Sequence, residues 1–454
     1  MSDARFTRRD VLRSAAVASP AAAQPRTGLP NVVFLISDDH SVPDLGCYGN
    51  SAIRTPNLDR MAREGMRFQN AIVASPQCSP NRSAIFTGCS PHTTSTSRLH
   101  TPFPEWERTY IEGLQERGYF VGAFRKVHQG EEFDKRWNWY GGMEIDFERF
   151  FQAAPAGKPF FLHVGFTDPH RPYKSGAVSP PHDPAKVVAP KFLPDSPEVR
   201  TDIAHYYDYI SRMDAQCGQL FDQLRKRKLE KDTLVIFTGD NGMPFPRAKG
   251  TCYEPGIRVP LLAWWPGRIS AGAVRNELIS HVDLPATWLD AAGVEPPKKM
   301  QGRSFLNLLL GKEYKPNSAV FSERNWHDNF DPIRCVRTAR YKLIFNAMPQ
   351  LPYRPTQDLE NSPSWQSYVE LARRGKLSLV HRRLLDPSRP MLELYDLETD
   401  PDEFSNLAGD PKHAAVLEGL LGTLADWMHA TRDYLPPAFP RRGLPAGRGW
   451  PLSL

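Results

Sequence analysis

Residues 31–40 read NVVFLISDDH, an almost unbroken apolar run that ends on two adjacent carboxylates, Asp38 and Asp39. A strand with one face in water would alternate polar and apolar residues. This run does not, and its valines and isoleucine mark a short strand buried on both faces, as in a parallel sheet covered by helices. The figure recurs at 119–124 (YFVGAF), 160–166 (FFLHVGF), 233–238 (TLVIFT) and 259–265 (VPLLAWW). Two of these runs also stop on polar loops, Thr167-Asp168-Pro169-His170 and Gly239-Asp240-Asn241. Helical stretches lie between them. Thr55-Pro56-Asn57 opens a helix through Arg63 that stops at Gly65, another is expected over 105–117, and a third near 282–292. From Glu198 to Leu229, Ile203, Tyr206, Tyr207, Ile210, Met213, Cys217, Leu220, Phe221 and Leu224 recur at three- and four-residue spacing, the signature of a long amphipathic helix.

Strands alternating with helices over about 290 residues predict an α/β fold, a large central and mostly parallel sheet covered by helices. In such sheets ligands bind beyond the carboxyl ends of the strands, which is where the polar loops fall. The pattern changes after about residue 315. SAVFSE (318–323), RCVRTARYKLIFN (334–346) and MLELYDL (391–397) are strands without long helices between them, and 411–430 is a closing helix. A smaller C-terminal α+β domain with an antiparallel sheet is expected over 316–434, after a catalytic domain over 25–315. The stretch from Pro349 to Arg389 reads as a turn-rich loop insertion, and 435–454 as an extended tail.

With 43 prolines and 31 glycines among 454 residues, long helical bundles and coiled coils are excluded. The net charge of +6 is small for the length and the basic residues are scattered, so nucleic acid is not an expected partner. No apolar run is long enough for a membrane span. Residues 1–24 differ from the rest. Arg8-Arg9, preceded by Thr7 and followed by Asp10-Val11-Leu12 and an alanine-rich stretch, resembles a twin-arginine export signal, with a basic tail as the alternative. Export would place the mature chain in the periplasm or outside the cell. The six cysteines show no close pairing of the zinc-knuckle or CxxC kind.

Asp38-Asp39 and Asp240-Asn241 end two strands of one parallel sheet, so loops 200 positions apart can meet at one edge. Adjacent like charges need a cation or strong hydrogen bonds, and oxygen donors suit calcium or magnesium. Turn formation and helix capping are the alternative use of such residues. Residues 78–88, CSPNRSAIFTG, place Cys78 ahead of a helix start with Arg82 four residues on. By itself that pattern fits either a thiolate nucleophile or a buried cysteine beside a surface arginine.

The same segment resembles the signature of the sulfatase family, Cys-x-Pro-x-Arg followed by a small apolar stretch and Thr-Gly. The resemblance extends over nearly the whole chain after the leader. It implies the alkaline phosphatase/sulfatase-like fold, and it implies that a maturating, formylglycine-generating enzyme oxidises Cys78 to formylglycine, whose hydrate is the nucleophile. It further implies that Asp38, Asp39, Asp240 and Asn241, with one oxygen of modified Cys78, hold one divalent cation, usually calcium. Arg82 would hold the hydrated aldehyde, and Lys126 and His128 (in RKVHQG), His170 (in DPHRP) and Lys249 would complete the catalytic set. Asp240 would accept a proton from the nucleophile, His170 with Lys249 would serve the leaving group, and His128 would act in sulfate release. Glu323, His327, His92 and Arg171 are candidates for contact with substrate, whereas His163, inside an apolar strand, is expected to be structural.

The expected substrate is a small anionic sulfated molecule. NSAIRTPNLD, PFFLHVGFTDPHRP, DIAHYYDYISRMD, TLVIFTGDNGMPFP and ELYDLETDPDEFSNLAGDP resemble the heparan N-sulfatase branch of the family, which implies N-sulfoglucosamine. The Lys126-Val127-His128 triplet and the Lys249–Pro260 stretch look more like general sulfatases. O-sulfated sugars or aryl sulfates are therefore the alternative, ahead of formylglycine-dependent phosphonate or phosphodiester hydrolysis and of a glycan-binding module without catalysis.

Overall fold

Val32, Phe34 and Ile36 belong to one buried core and Val33 and Leu35 to another, so the first strand is covered on both sides. This is why its sequence does not alternate. The computed structural model describes residues 28–436. The expected leader and most of the expected tail lie outside the described residues. The strands are β1 (Asn31–Ser37), β2 (Met66–Ile72), β3 (Phe120–Arg125), β4 (Trp139–Tyr140), β5 (Phe160–Gly165), β6 (Thr233–Gly239), β7 (Arg258–Trp264) and β8 (Ala273–Ser280). They form an eight-stranded sheet in the order β4-β3-β5-β1-β6-β7-β2-β8.

β4, β3, β5, β1 and β6 run parallel, so their carboxyl ends share one edge. β7 runs antiparallel to both β6 and β2, and β8 is parallel to β2. The reversal at β7 brings the chain from β6 back to the edge where it left, and residues 240–257 loop over that edge. β2 and β8 escape the apolar-run criterion because MRFQNAI and AVRNELIS mix polar with apolar residues. One core holds Trp288 and Leu289 of the helix Asp283–Ala291, and the other holds Ile203, Tyr206, Ile210, Met213, Cys217 and Leu220 of the long helix Pro197–Lys226.

A second, four-stranded antiparallel sheet follows: β9 (Val320–Trp326), β10 (Phe330–Arg337), β11 (Tyr341–Asn346) and β12 (Leu392–Asp396), in the order β12-β11-β10-β9. The helix Ala414–Ala430 packs Leu420, Leu424 and Met428 against Val336, Leu343 and Leu394 of this sheet.

Two expectations need correction. The helix expected over 105–117 is confined to Tyr110–Glu116, because Thr109 and Glu112 form a capping box that fixes its start. The stretch 349–389 is not merely a loop. It contains the helices Gln357–Glu360 and Pro363–Arg373, the latter started by Ser362, whose hydroxyl accepts the Trp365 N–H at 3.1 Å. The second helix is anchored on the long helix, where the Ser364 hydroxyl donates to Asp202 at 2.6 Å.

Candidate active site

Four strand ends and one helix start converge at the common edge. Asp38 and Asp39 follow β1, Asp240 and Asn241 follow β6, Lys126 and His128 follow β3, and His170 follows β5. Backbone hydrogen bonds tie these loops to one another: Asp38 N–H to Asp168 O at 3.0 Å, His40 N–H to Asn241 O at 2.7 Å and Lys126 N–H to Gly165 O at 2.8 Å. Gly165 is required there, since a Cβ would lie 2.0 Å from the Lys126 carbonyl oxygen. Asp39, His128 and His100 adopt left-handed backbone conformations, with φ of 64°, 67° and 58°. Such conformations cost non-glycine residues energy and persist where the surroundings over-determine them.

Cys78 is the first residue of the helix Cys78–Thr87, every residue of which is buried. Asn81 anchors that helix to the sheet edge. Its Oδ1 accepts the Ala74 N–H at 2.9 Å, and its Nδ2 donates to Asp240 O at 2.6 Å. Gly88, with φ 67° and its N–H on Ala84 O at 2.8 Å, ends the helix, which explains the Thr-Gly at the close of the motif. Burial pushes the Cys78 thiol well above its ordinary pKa in spite of Lys126 and Lys249 nearby, so the unmodified side chain is a neutral thiol.

The charges interlock. Arg82, 1% exposed, donates from Nε to Asp240 Oδ2 at 2.8 Å and from Nη1 to Lys126 O. Lys126 pairs with Asp38. Lys249 Nζ is 2.8 Å from Asp39 Oδ2, 2.7 Å from Asp358 Oδ2 and 3.1 Å from His170 Nε2. Asp240 also accepts the Asp39 N–H at 2.9 Å, and Asn241 Nδ2 donates to Asp39 Oδ1 at 2.7 Å. His128 Nε2 lies 2.9 Å from His100 Nδ1, and burial beside Lys126 and Arg82 lowers the His128 pKa to about 2, which keeps the ring neutral.

Asp38, Asp39, Cys78 and His170 each offer a ligand atom, all within 4.8 Å of one another. Two oxygens at this spot, Asp38 Oδ1 and Asn241 Oδ1, are buried without a hydrogen-bond partner. Orphaned buried oxygens are costly, and a hard divalent cation satisfies them. The charge balance agrees. The carboxylates of Asp38, Asp39, Asp240 and Asp358 outnumber the cations Arg82, Lys126 and Lys249 by one. Burial and Asp38 raise the Asp240 pKa to about 7, and a dication would favour its ionised form; with all four carboxylates ionised the site would go from −1 to +1, suited to a monoanionic sulfuryl group.

The four residues expected to touch substrate separate. His327 stays near the site: its Nδ1 is 2.8 Å from Asp328 Oδ2, its Nε2 is buried without a hydrogen-bond partner, and Lys249 and His100 lie close enough to interact electrostatically. Arg171 does not fit the expectation. It is buried, with both terminal nitrogens on Asp202 at 2.7 and 2.6 Å, and it stacks on Tyr173 and Phe245. His92 and Glu323 pair with each other in the interior. The His92 N–H reaches Glu323 Oε1 at 2.8 Å, and Arg334 ties Glu323 to Asp433. They join the turn Pro91–Thr94 to β9 and to Thr431 at the end of the last helix, and do not line a mouth. His163 is enclosed by Phe34, Phe86 and Trp137. Sequence reasoning missed Asp358, which lies on the short helix Gln357–Glu360 and not at the end of a strand of the large sheet; His100 was a weaker candidate among the histidines.

Comparison with known proteins agrees with this geometry. The family model described as Sulfatase matches residues 30–136 and 145–294, and one described as N-sulphoglucosamine sulphohydrolase, C-terminal, matches residues 247–369. Human N-sulphoglucosamine sulphohydrolase is 32% identical, over 90% of this chain and 91% of its own. An ulvan-active sulfatase of Formosa agariphila is 31% identical, over 89% of this chain and 81% of its own. A structure solved in complex with its substrate D-glucosamine-2-N,6-O-disulfate shares the fold, with TM-score 0.69 and 19% identity over 91% of this chain and all (100%) of the other. With a catalytic edge of this construction and relatives of this extent, the chain belongs to the sulfatase family and is a sulfatase enzyme.

Proposed function

We propose that the chain hydrolyses the N-sulfate of a glucosamine, using residue 78 matured to formylglycine and one divalent cation, calcium by family resemblance. The observation that supports the sugar assignment is the match of residues 247–369 to the N-sulphoglucosamine sulphohydrolase C-terminal model, since this stretch contributes Lys249 and Asp358, 2.7 Å apart beside His170. When present, the hydrated aldehyde supplies a hydroxyl nucleophile and the cation polarises the sulfuryl group.

The chain's own residues do the rest. Asp38, Asp39, Asp240 and Asn241 would hold the cation. Arg82, Lys126 and Lys249 neutralise the sulfuryl oxygens from fixed positions, which require no reorganisation as charge develops. Asp240 takes the proton of the attacking hydroxyl. His170, 3.1 Å from the Lys249 ammonium, delivers a proton to the departing atom. His128, 2.9 Å from His100, is given the proton released with sulfate on the family resemblance. The 31% identity to an ulvan-active sulfatase supports O-sulfated sugars as the second reading. The Arg8-Arg9 leader motif supports export to the periplasm or beyond.

The test measures inorganic sulfate released from N-sulfoglucosamine and from glucosamine 6-O-sulfate, together with mass spectrometry of the peptide containing residue 78. N-sulfoglucosamine should be the better substrate, residue 78 should carry an aldehyde or its hydrate, and Cys78→Ala should lower turnover by more than about 10³-fold. Release from the O-sulfated sugar alone would establish the second reading. A uniformly free thiol in active enzyme would remove the formylglycine mechanism.

A further inference from the structure

Asp358 is a carboxylate where an anionic substrate would not be expected to meet one. Its Oδ2 lies 2.7 Å from Lys249 Nζ and 3.6 Å from His170 Nε2, the two groups assigned to the leaving atom. Lys249 is already matched by Asp39 at 2.8 Å, so Asp358 brings a negative charge that Lys249 does not need. The side chain is 21% exposed, its Oδ1 is buried with the Thr356 hydroxyl acting on the carboxylate as a neighbour, and Oδ2 is the oxygen turned to Lys249 and His170. Its position is fixed from the second sheet. The Gln357 N–H donates to Asp328 Oδ2 at 2.7 Å, and Asp328 is held by His327 at 2.8 Å.

The chemistry of the two candidate reactions differs at the leaving atom. A sulfamate follows R–NHSO3⁻ + H2O → R–NH3⁺ + SO4²⁻. A sulfate ester follows R–OSO3⁻ + H2O → R–OH + SO4²⁻ + H⁺. In the first case a bond forms from the attacking oxygen to sulfur and the S–N bond breaks, its electron pair staying on nitrogen. The nitrogen takes one proton from the His170–Lys249 side and a second from water. Only the sulfamate develops a cation at that position, and a cation is what a surplus carboxylate stabilises.

We propose that Asp358 receives the nitrogen of the departing amine on Oδ2, the oxygen that stands beside His170 and Lys249, and so selects sulfamates over sulfate esters. The proposal rests on the reading of the chain as an N-sulfated-sugar hydrolase and names the residue that sets the preference. The competing role is positional, with Asp358 merely orienting Lys249, which would serve both reactions equally.

The experiment compares wild type, Asp358→Asn and Asp358→Glu in kcat/KM on N-sulfoglucosamine and glucosamine 6-O-sulfate, and in inhibition by glucosamine and by uncharged N-acetylglucosamine. Loss of a charge-assisted hydrogen bond should lower kcat/KM of the Asn variant about 100-fold for N-sulfoglucosamine and less than about 10-fold for the ester. The same variant should weaken inhibition by glucosamine about 10-fold more than inhibition by N-acetylglucosamine, and the Glu variant should recover part of both losses. Equal losses on the two substrates, or on the two inhibitors, would overturn the proposal while leaving the sulfamate reading intact. A wild-type enzyme inert toward N-sulfoglucosamine would instead overturn the sulfamate reading, and the role of Asp358 with it.

Discussion

Removing the divalent cation should cost the folded protein stability as well as activity. Asp38 Oδ1 and Asn241 Oδ1 are buried with no partner of their own, and the carboxylates around them exceed the neighbouring cations by one. A cation bound only by the folded state adds about 2.7 kcal/mol at a hundredfold excess over its dissociation constant. For a chain of 454 residues, about 2.1 cal/mol/K per residue gives an unfolding entropy of about 1 kcal/mol/K, so the melting temperature should rise by about 3 °C. The assay is scanning calorimetry of one preparation in excess chelator and in excess calcium at matched ionic strength. Asp38→Asn provides the control, because it removes a charge and an oxygen donor from the group that meets the cation. Its calcium-dependent shift should fall below about 1 °C. Identical melting of the wild-type protein in chelator and in calcium would refute the assignment of the orphaned oxygens to a cation, and so would a full shift retained by Asp38→Asn.

Arg171→Ala should act on stability and not on substrate affinity. Breaking a buried ion pair costs about 3–5 kcal/mol, a fall of about 3–5 °C on the same entropy, and an increase in KM above about tenfold at unchanged melting temperature would return Arg171 to the substrate site. His281 is buried and its pKa is lowered to about 3, so below pH 6.5 the unfolded chain takes up a proton that the folded protein refuses. Stability from this group is complete above pH 6.5 and falls toward pH 3 by about 1.4 kcal/mol per pH unit. Chemical denaturation at pH 7 and pH 5 should therefore show a steeper loss in the wild type than in His281→Gln, and parallel losses would contradict it.

How far the sequence carries follows from which forces are local. β1, β5 and β6 are legible because burial on both faces writes an apolar run into six or seven residues. The same parallel direction puts Asp38, Asp240 and His170 at one edge, so their meeting is readable from strand order alone. β8 is an edge strand whose Val274 remains exposed, so its composition resembles that of a loop. Arg171 and His170 stand side by side in one motif, yet Asp202, on the long helix 31 positions away, and Pro244 O, 73 positions away, turn Arg171 inward. Glu323 and His92 were misplaced for the same reason, since their partners are each other across 231 positions. A partner at such a distance leaves no local trace.

The division of labour in the site follows from the substrate's own symmetry. The sulfuryl group presents the same anionic oxygens in an ester and in a sulfamate, so Arg82, Lys126 and Lys249 serve both and cannot distinguish them. Discrimination has to come from groups that face the leaving atom and what is attached to it. On the proposed reading Asp358 is such a group, bonded to Lys249 at 2.7 Å and carried on the helix Gln357–Glu360 between β11 and β12. Lys249 is the joint between the two sets, bonded to a cluster carboxylate through Asp39 and to the leaving-atom side through Asp358. A change at Asp358 can therefore alter which bond is cut while the sulfuryl-binding set is left in place, whereas a change at Lys249 disturbs both. On the proposed reading, selectivity is set on the segment between β11 and β12 and the sulfuryl chemistry stays at the edge of the larger sheet.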